Sequence, residues 1–242
     1  MTSRDYQLFK FLFRGRIATI EQINRYIFGG IRLQTVGRRL NRLSEKGYIV
    51  KTPFVMDCKA KLAYQVSDKG LSEIQSQLKY QVKGRPRKSD SPEHDVTLND
   101  IRYVLDKAEK ALQVLSENEL QSCEEFSGSQ GLKPFVDLNS DGAIQLKKDD
   151  EHFYVALEYD ASEKSHHRYV EKIGSYYRHS SVPAVLYICK SNHIRKVLKK
   201  AETEVLKGQD KKPKFYYATL SDVLDGSDQM SFENLSGRIF KL

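Results

Sequence analysis

Three carboxylates fall around a predicted β-hairpin in the second half of the chain. Asp141 opens the predicted strand Asp141–Lys147, while Glu158 and Asp160 close the next strand, Phe153–Asp160. Because Glu158 and Asp160 are two residues apart, both point to the same face of that strand. The spacing therefore predicts three acidic groups that converge at one end of a hairpin.

The turn of this hairpin lies in the sequence KDDE and is centred near Asp150. With that centre, residue 141 pairs with residue 159, which sets Asp141 beside Glu158 and Asp160. Carboxylate oxygens are preferred ligands of Mg²⁺ and Mn²⁺, and such an ion can activate water and neutralise charge on a scissile phosphate. These three acids are therefore candidate catalytic residues and candidate ligands of a Mg²⁺ or Mn²⁺ cofactor. The alternative is that they merely end a strand and bind water.

A cation for this site is available from the predicted helix between Ser162 and His179. Lys172 shares a face of that helix with Tyr176, whereas Lys164 lies in its first turn. A lysine here would stabilise negative charge that develops on a phosphate. Lys172 and Lys164 are the two cations that this helix offers to the site, and of the two we prefer Lys172.

The elements around the hairpin predict a mixed α/β fold, in which helices pack on a sheet. Beyond the hairpin and its following helix, the expected elements are a helix from His94 to about Leu115, a possible strand Leu120–Phe126, a strand Ala184–Ile188, a helix Asn192–Leu206 and a strand Phe215–Thr219.

The first 80 residues predict a winged helix-turn-helix. The expected elements are helices at Ser3–Phe13, from Thr19 to Gly29-Gly30, at Leu33–Lys46 and at Ser67–Leu78, with short strands at Tyr48–Lys51 and Leu62–Val66. Thr19 and Gln22 have the spacing of a capping box. Val36, Leu40 and Leu43 recur at helical intervals and should be buried in the core.

The polar face of the third helix has side chains that can read DNA. Arginine binds guanine and Asn or Gln binds adenine in the major groove, and lysines of the loop between the strands would meet phosphates. The expected DNA-binding residues are Gln34, Thr35, Arg38, Arg39, Asn41, Arg42, Lys59 and Lys61. The alternative is a solvated basic face, or a winged helix that binds protein.

Charge divides the 242-residue chain into unequal halves. Residues 1–93 carry a net charge of +11 and residues 94–242 carry −3. The change falls in VKGRPRKSDSPE, whose composition is typical of a linker. We therefore predict a DNA-binding domain at 1–80, a basic linker at 81–93 and a second domain at 94–242. Within the linker, KGRPR is similar to an AT-hook core, which makes Arg85 and Arg87 candidate minor-groove contacts; the alternative is a solvated basic linker.

Composition excludes several other classes of protein. The 25 aromatic residues exclude global disorder, and no apolar run approaches a bilayer span. We see no signal peptide. Three scattered cysteines, Cys58, Cys123 and Cys189, form neither a disulfide framework nor a CxxC metal site. We expect a cytoplasmic protein without membrane insertion.

Resemblances to two known protein groups narrow the predicted function. The segments SDGAIQLK and FYVALEYD resemble the PD-(D/E)xK nuclease pattern, although Asp160 stands where that pattern has its lysine. This implies a restriction-endonuclease-like fold for residues 94–242. Together with HDVTLNDIR and ALEYDASEKSHHRYVEKIGSYYR, the whole chain resembles the replication-relaxation superfamily, and at this length its MobC-type plasmid mobilisation relaxases.

The family resemblance implies a sequence-specific, metal-dependent endonuclease that nicks one strand of plasmid DNA at the origin of transfer. The acids Asp141, Glu158 and Asp160 and the cation Lys172 would form its site. The implied partners are double-stranded DNA at that origin, an accessory mobilisation protein and a coupling ATPase. Two rivals stay open: a non-catalytic regulator of plasmid replication or transcription with a degenerate nuclease domain, and a nuclease that cuts both strands.

Overall fold

The computed structural model describes residues 1–78, 80–83, 85, 87–148, 151–225 and 230–242. Contacts divide the chain into two units, Met1–Tyr103 with Gln121–Glu125, and Val104–Leu120 with Phe126–Leu242. Each unit has its own hydrophobic core. Within the described ranges, no helix combines the length and apolar character that crossing a bilayer requires.

The first unit consists of helices around a three-stranded sheet. Its helices are α1 (Ser3–Gly15), α2 (Ile20–Ile23), a π-helical turn (Asn24–Phe28), α3 (Leu33–Glu45), α4 (Asp68–Ile74) and most of α5 (Pro92–Leu105). Its strands are β1 (Ala18–Thr19), β2 (Ile49–Met56) and β3 (Lys59–Val66), in the order β1-β3-β2 with antiparallel pairing.

Local signals explain how these helices begin and end. Thr19 and Gln22 form the expected capping box at the start of α2. Gly29, at the end of the π-helical turn, has a φ of 72°, a left-handed conformation that favours glycine. Val36, Leu40 and Leu43 are buried, as their spacing predicts.

The β2–β3 hairpin is longer than the sequence predicts. Its turn consists of Asp57 and Cys58, which both have positive φ values, the geometry of a two-residue hairpin turn. The prediction of a loop containing Lys59 and Lys61 is therefore wrong, because both lysines already pair in β3.

Helix α5 packs against the first unit. The Gln22 side chain donates to the Val96 carbonyl at 2.7 Å, and the Asn99 side chain donates to the Ile17 carbonyl at 2.6 Å. Both Ile17 and Val96 are buried. The predicted boundary at residue 94 thus falls inside a helix whose contacts assign it to the N-terminal unit.

The segment that follows α5 differs from the prediction. The helix expected to reach Leu115 ends at Leu105, and Ala111–Ser116 forms strand β4, which pairs with β5. The strand expected at Leu120–Phe126 is instead helical, as α6 (Glu117–Ser122) and α7 (Glu124–Gly128). The reason is a capping interaction at Ser116, whose backbone N–H donates to Glu119 Oε2 at 2.8 Å while its Oγ accepts from the Glu119 N–H.

The second unit is a seven-stranded mixed sheet with helices. Its further elements are α8 (Lys133–Asp137), β5 (Gly142–Lys148), β6 (Glu151–Asp160), α9 (His166–Arg178), β7 (Val185–Cys189), α10 (Asn192–Leu206), β8 (Phe215–Thr219), α11 (Leu220–Leu224), β9 (Ser231–Glu233) and β10 (Ile239–Lys241). Strands β6, β7 and β8 are parallel and the other pairs are antiparallel, in the order β10-β9-β8-β7-β6-β5-β4. The sheet curls, and Lys110 Nζ beside β4 donates to the Lys241 carbonyl of β10 at 2.8 Å.

Helices α9 and α10 cover one face of this sheet. Their buried side chains, among them Ile173 and Leu198, pack in one core with strand residues such as Ala156, Tyr187 and Phe215. Side chains alternate along a strand, so Glu158 and Asp160 share the face of Ala156. The two acids therefore lie beneath α9 and α10. The sequence alone predicts that they share a face, but not that helices cover this face.

Candidate active site

Asp141 and Glu158 meet across the β5–β6 hairpin. Gly142 pairs with Leu157, and extending this register by one residue sets Asp141 opposite Glu158. The backbone N–H of Tyr159 donates to Asp141 Oδ2 at 2.8 Å. The predicted pairing of residue 141 with residue 159 is wrong by one residue. The turn residues Asp149 and Asp150, on which that prediction depends, lie outside the described residues.

Glu158 is the buried centre of the cluster. Its side chain is inaccessible to solvent, and its two carboxylate oxygens accept hydrogen bonds from Tyr176 Oη and Lys172 Nζ. The Tyr176 hydroxyl also lies 2.7 Å from Ser140 Oγ. Burial raises the pKa of Glu158 to about 7, because desolvation of the carboxylate outweighs the opposing effect of Lys172.

Lys172 is the part of this cluster that reaches solvent. Its side chain is 29% exposed. Burial opposes the charged ammonium, but the carboxylates of Glu158, Asp141 and Asp160 outweigh it and raise the pKa of Lys172 above its ordinary value. These carboxylates therefore favour the charged form of the Lys172 ammonium. The structure brings Lys172, rather than Lys164, onto Glu158.

Asp160 has a separate set of partners. Its carboxylate accepts from Tyr187 Oη and forms an ion pair with Lys164, four residues along the chain. Only 1% of the residue is exposed. Each of the two candidate lysines thus neutralises a different acid of the same strand.

A site for a divalent ion has suitable donors but not the predicted number. In the part of the chain that the structure describes, no three His, Cys, Asp or Glu side chains form a group able to hold a metal ion. Two neighbouring carboxylates, Asp141 and Glu158, are present, and Mg²⁺ in proteins is commonly held by one or two carboxylates with water or phosphate completing its shell. Both oxygens of Glu158 already accept hydrogen bonds from Lys172 and Tyr176, so an ion held by these two carboxylates would have to replace one of those partners.

Two tyrosines of the cluster were not anticipated as site residues. Tyr176 lies four residues after Lys172, a spacing that places both on one helix face, so the sequence held a signal for it. Tyr187 lies in a strand that reads as fully apolar, and only the parallel pairing of Glu158 with Tyr187 brings it to the acids. No local pattern could have indicated Tyr187.

The family model described as replication-relaxation matches residues 9–183. The chain belongs to the replication-relaxation family. Membership in this family indicates a role in plasmid replication or mobilisation. Neither the comparison with curated proteins nor that with solved structures finds a match to the chain.

The region matched to the replication-relaxation family also contains α3, the helix expected to read DNA. The predicted contacts Gln34, Thr35, Arg38, Asn41 and Arg42 are all exposed. The buried residues of α3, Val36, Leu40 and Leu43, face the core instead. This face of the replication-relaxation chain is available to a ligand.

Arg39 differs from its neighbours on α3. Its Nε donates to Asp5 Oδ1 at 2.9 Å, and its guanidinium forms a second contact with Asp5 Oδ2. Asp5 is fully buried and belongs to the capping box of α1. In this replication-relaxation protein Arg39 therefore ties α3 to α1.

The remaining predicted contacts are exposed cations. Lys59 and Lys61 are exposed on β3. Arg85 lies 3.7 Å from Asp68, and its side chain is 89% exposed. Arg87 is also exposed, whereas Gly84 and Pro86 of the AT-hook-like segment lie outside the described residues.

Proposed function

We propose that this protein is a plasmid mobilisation relaxase that binds duplex DNA at the origin of transfer and nicks one strand. The proposal combines the family membership with a candidate site in the second unit. It assigns DNA recognition to the first unit and the chemistry to Asp141, Glu158 and Lys172.

The observation that carries the proposal is the ion pair between Lys172 and Glu158, next to Asp141. An Asp, a Glu and a Lys are the side chains of the PD-(D/E)xK pattern. In this chain Asp160 occupies the strand position at which that pattern has its lysine, and Lys172 of α9 supplies the cation instead. Three groups that are distant in sequence thus meet in the combination that such nucleases use.

A divalent ion would be held by Asp141 and Glu158. When bound, Mg²⁺ or Mn²⁺ would supply positive charge at the scissile phosphate and lower the pKa of a bound water. Asp160 has Lys164 and Tyr187 as partners. We therefore propose that Asp160 supports the site from beside it and does not bind the ion.

The chain's own residues would bind and orient the substrate. Lys172 has a raised pKa and a partly exposed side chain, so its ammonium can meet a phosphate oxygen and stabilise negative charge. Tyr176, held by Ser140, fixes the position of the Glu158 carboxylate. The burial of both groups excludes water from this side of the site.

The first unit would hold the DNA. Its order of helices, its two-residue hairpin and its basic third helix support a winged helix-turn-helix, in which the second helix of the motif enters the major groove. The exposed face of α3 would then read bases, while Lys59 and Lys61 contact phosphates.

A second candidate function is a DNA-binding regulator of plasmid replication or transcription. One observation favours it: Glu158 and Asp160 each accept hydrogen bonds or ion pairs from two protein groups. A carboxylate pair that is satisfied by lysines and tyrosines can be purely structural. Such a protein would bind its DNA site and leave the plasmid intact.

One experiment separates the candidates. Supercoiled plasmid carrying the cognate transfer origin is incubated with the protein in Mg²⁺, in Mn²⁺ and in EDTA, and the products are resolved on a gel. We expect open-circular DNA with either metal and closed DNA in EDTA. Closed DNA in every lane would favour the regulator, and linear DNA would indicate a nuclease that cuts both strands.

A further inference from the structure

Residues 190–214 concentrate positive charge inside an otherwise acidic half of the chain. This segment has nine Lys or Arg residues and three Asp or Glu residues, a net charge of +6, whereas residues 94–242 as a whole carry −3. It comprises α10 and the loop that leads to β8. The sequence-based DNA contacts all lie in the N-terminal part of the chain, so this charge has no assigned role.

Several of these cations have structural partners. Arg195 lies 4.0 Å from Asp222, and Lys199 lies 2.9 Å from Glu233. The ammonium of Lys214 donates to three backbone carbonyls near the end of α9. These side chains hold α10 and its loop in place.

Three lysines form a separate group, which we call the lysine stripe: Lys196, Lys200 and Lys207. All three are exposed, and the structure gives them no ion pair with any acid of its described residues. At 3.6 residues per turn their positions lie within about 40° of one another around the helix, over about 16 Å of its length. Like charges one turn apart destabilise a helix unless an anion binds them.

The segment that leads into α10 lies beside Asp160, the last residue of β6. Helix α10 follows directly on β7, whose last residue, Cys189, pairs with Asp160. The backbone N–H of Lys190 donates to the Asp160 carbonyl at 2.9 Å. A chain of phosphates that passes the site can therefore continue along α10.

We infer that the lysine stripe binds the phosphodiester backbone of the duplex DNA on which the second unit acts. The inference rests on the proposed function, since it supposes that this unit meets DNA. Its chemistry is a row of ammonium groups that replaces the counterions of successive phosphates. It adds a second DNA-binding surface, separate from the exposed face of α3.

The test measures how the affinity for DNA depends on salt. Full-length protein is titrated onto a fluorescein-labelled 30-base-pair duplex of arbitrary sequence in EDTA, at KCl concentrations from 50 to 300 mM. Each phosphate contact contributes about −0.9 to the slope of log K against log salt. Replacing all three lysines of the stripe with alanine should make the slope shallower by about 2 to 3.

Two matched variants complete the test. Replacing the same three lysines with arginine keeps the charge and should retain the wild-type slope. A control triple alanine variant removes three lysines of the second unit that lie outside α10, namely Lys107, Lys110 and Lys133, and should also retain it.

The inference is overturned if the stripe variant has the slope of the control, or if the arginine variant loses binding as alanine does. Since the measurement is made in EDTA, a protein that fails to nick plasmid leaves this result unaffected. Conversely, an unchanged salt slope of the stripe variant would overturn the stripe as a DNA-binding surface and would leave the proposed nicking activity untouched.

Discussion

Glu158 should make the stability of this protein depend on pH. The pKa of this buried carboxyl is raised to about 7 from its ordinary value of 4.5. Between these values the folded protein keeps a proton that the unfolded chain has released. The contribution of Glu158 to the free energy of unfolding should therefore be largest below pH 4.5 and fall as the pH rises through 7.

The size of this effect follows from the two pKa values. At about 1.4 kcal/mol per pH unit, the difference corresponds to a loss of about 3 kcal/mol. Most of this loss falls between pH 5 and pH 8. Glu158→Gln removes the titrating group and keeps its shape, so this variant should lack the loss.

Urea unfolding in EDTA, followed by circular dichroism from pH 5 to pH 8, measures the effect. We expect the free energy of unfolding of the wild type to fall by about 2 to 3 kcal/mol relative to Glu158→Gln. Glu151→Gln changes an exposed glutamate of the same strand and should parallel the wild type. If the free energies of unfolding of the wild type and Glu158→Gln differ by the same amount at every pH in this range, the raised pKa assigned to the buried carboxyl is refuted.

Further predictions concern the first unit. Arg39→Ala leaves the buried carboxylate of Asp5 without its guanidinium partner and should lower the free energy of unfolding by about 2 kcal/mol. Arg38→Ala, one residue earlier, should change stability by less than about 0.5 kcal/mol but weaken DNA binding; equal effects on stability would contradict these roles. A fragment that ends at residue 105 should melt at a higher temperature than one that ends at residue 93, because only the longer one retains Val96 against Ile17. Identical melting curves would show that α5 contributes nothing to this unit.

The sequence predicted the elements whose own side chains define them. The three buried residues of α3, the capping box at Thr19 and the strands expected at Ala184–Ile188 and Phe215–Thr219 are all confirmed, the first of these strands within one residue. Helix α10 has the predicted bounds, Asn192–Leu206. In these elements the apolar period and the cap are local, so they can be read without tertiary contacts.

The wrong predictions concern segments whose structure depends on strand pairing, which a local pattern does not contain. The helix predicted to reach Leu115 ends at Leu105, and Leu112 lies 49% exposed on β4, because pairing with β5 supplies the backbone hydrogen bonds of that segment. The hairpin register was displaced by one residue, and a shift of one moves a side chain to the other face. The observed register puts Asp141 on the face of Glu158.

The candidate site was only partly predictable for a related reason. The residue types Asp, Glu and Lys and the choice of Lys172 came from chemistry and helix spacing. The burial of Glu158 depends on α9, which folds over it, and Tyr187 arrives through a parallel strand pairing. Such contacts join residues far apart in sequence, so no pattern within one segment contains them.

The central claim is that Glu158 acts in strand nicking, and a comparison of two variants tests it most directly. Supercoiled plasmid with the cognate origin is incubated in Mn²⁺ with wild type, Glu158→Gln or Glu151→Gln, at enzyme concentrations that saturate binding. We predict that Glu158→Gln slows the formation of open-circular DNA by on the order of 100-fold, while Glu151→Gln matches the wild type and all three bind DNA equally. Nicking by Glu158→Gln at the wild-type rate would contradict the claim.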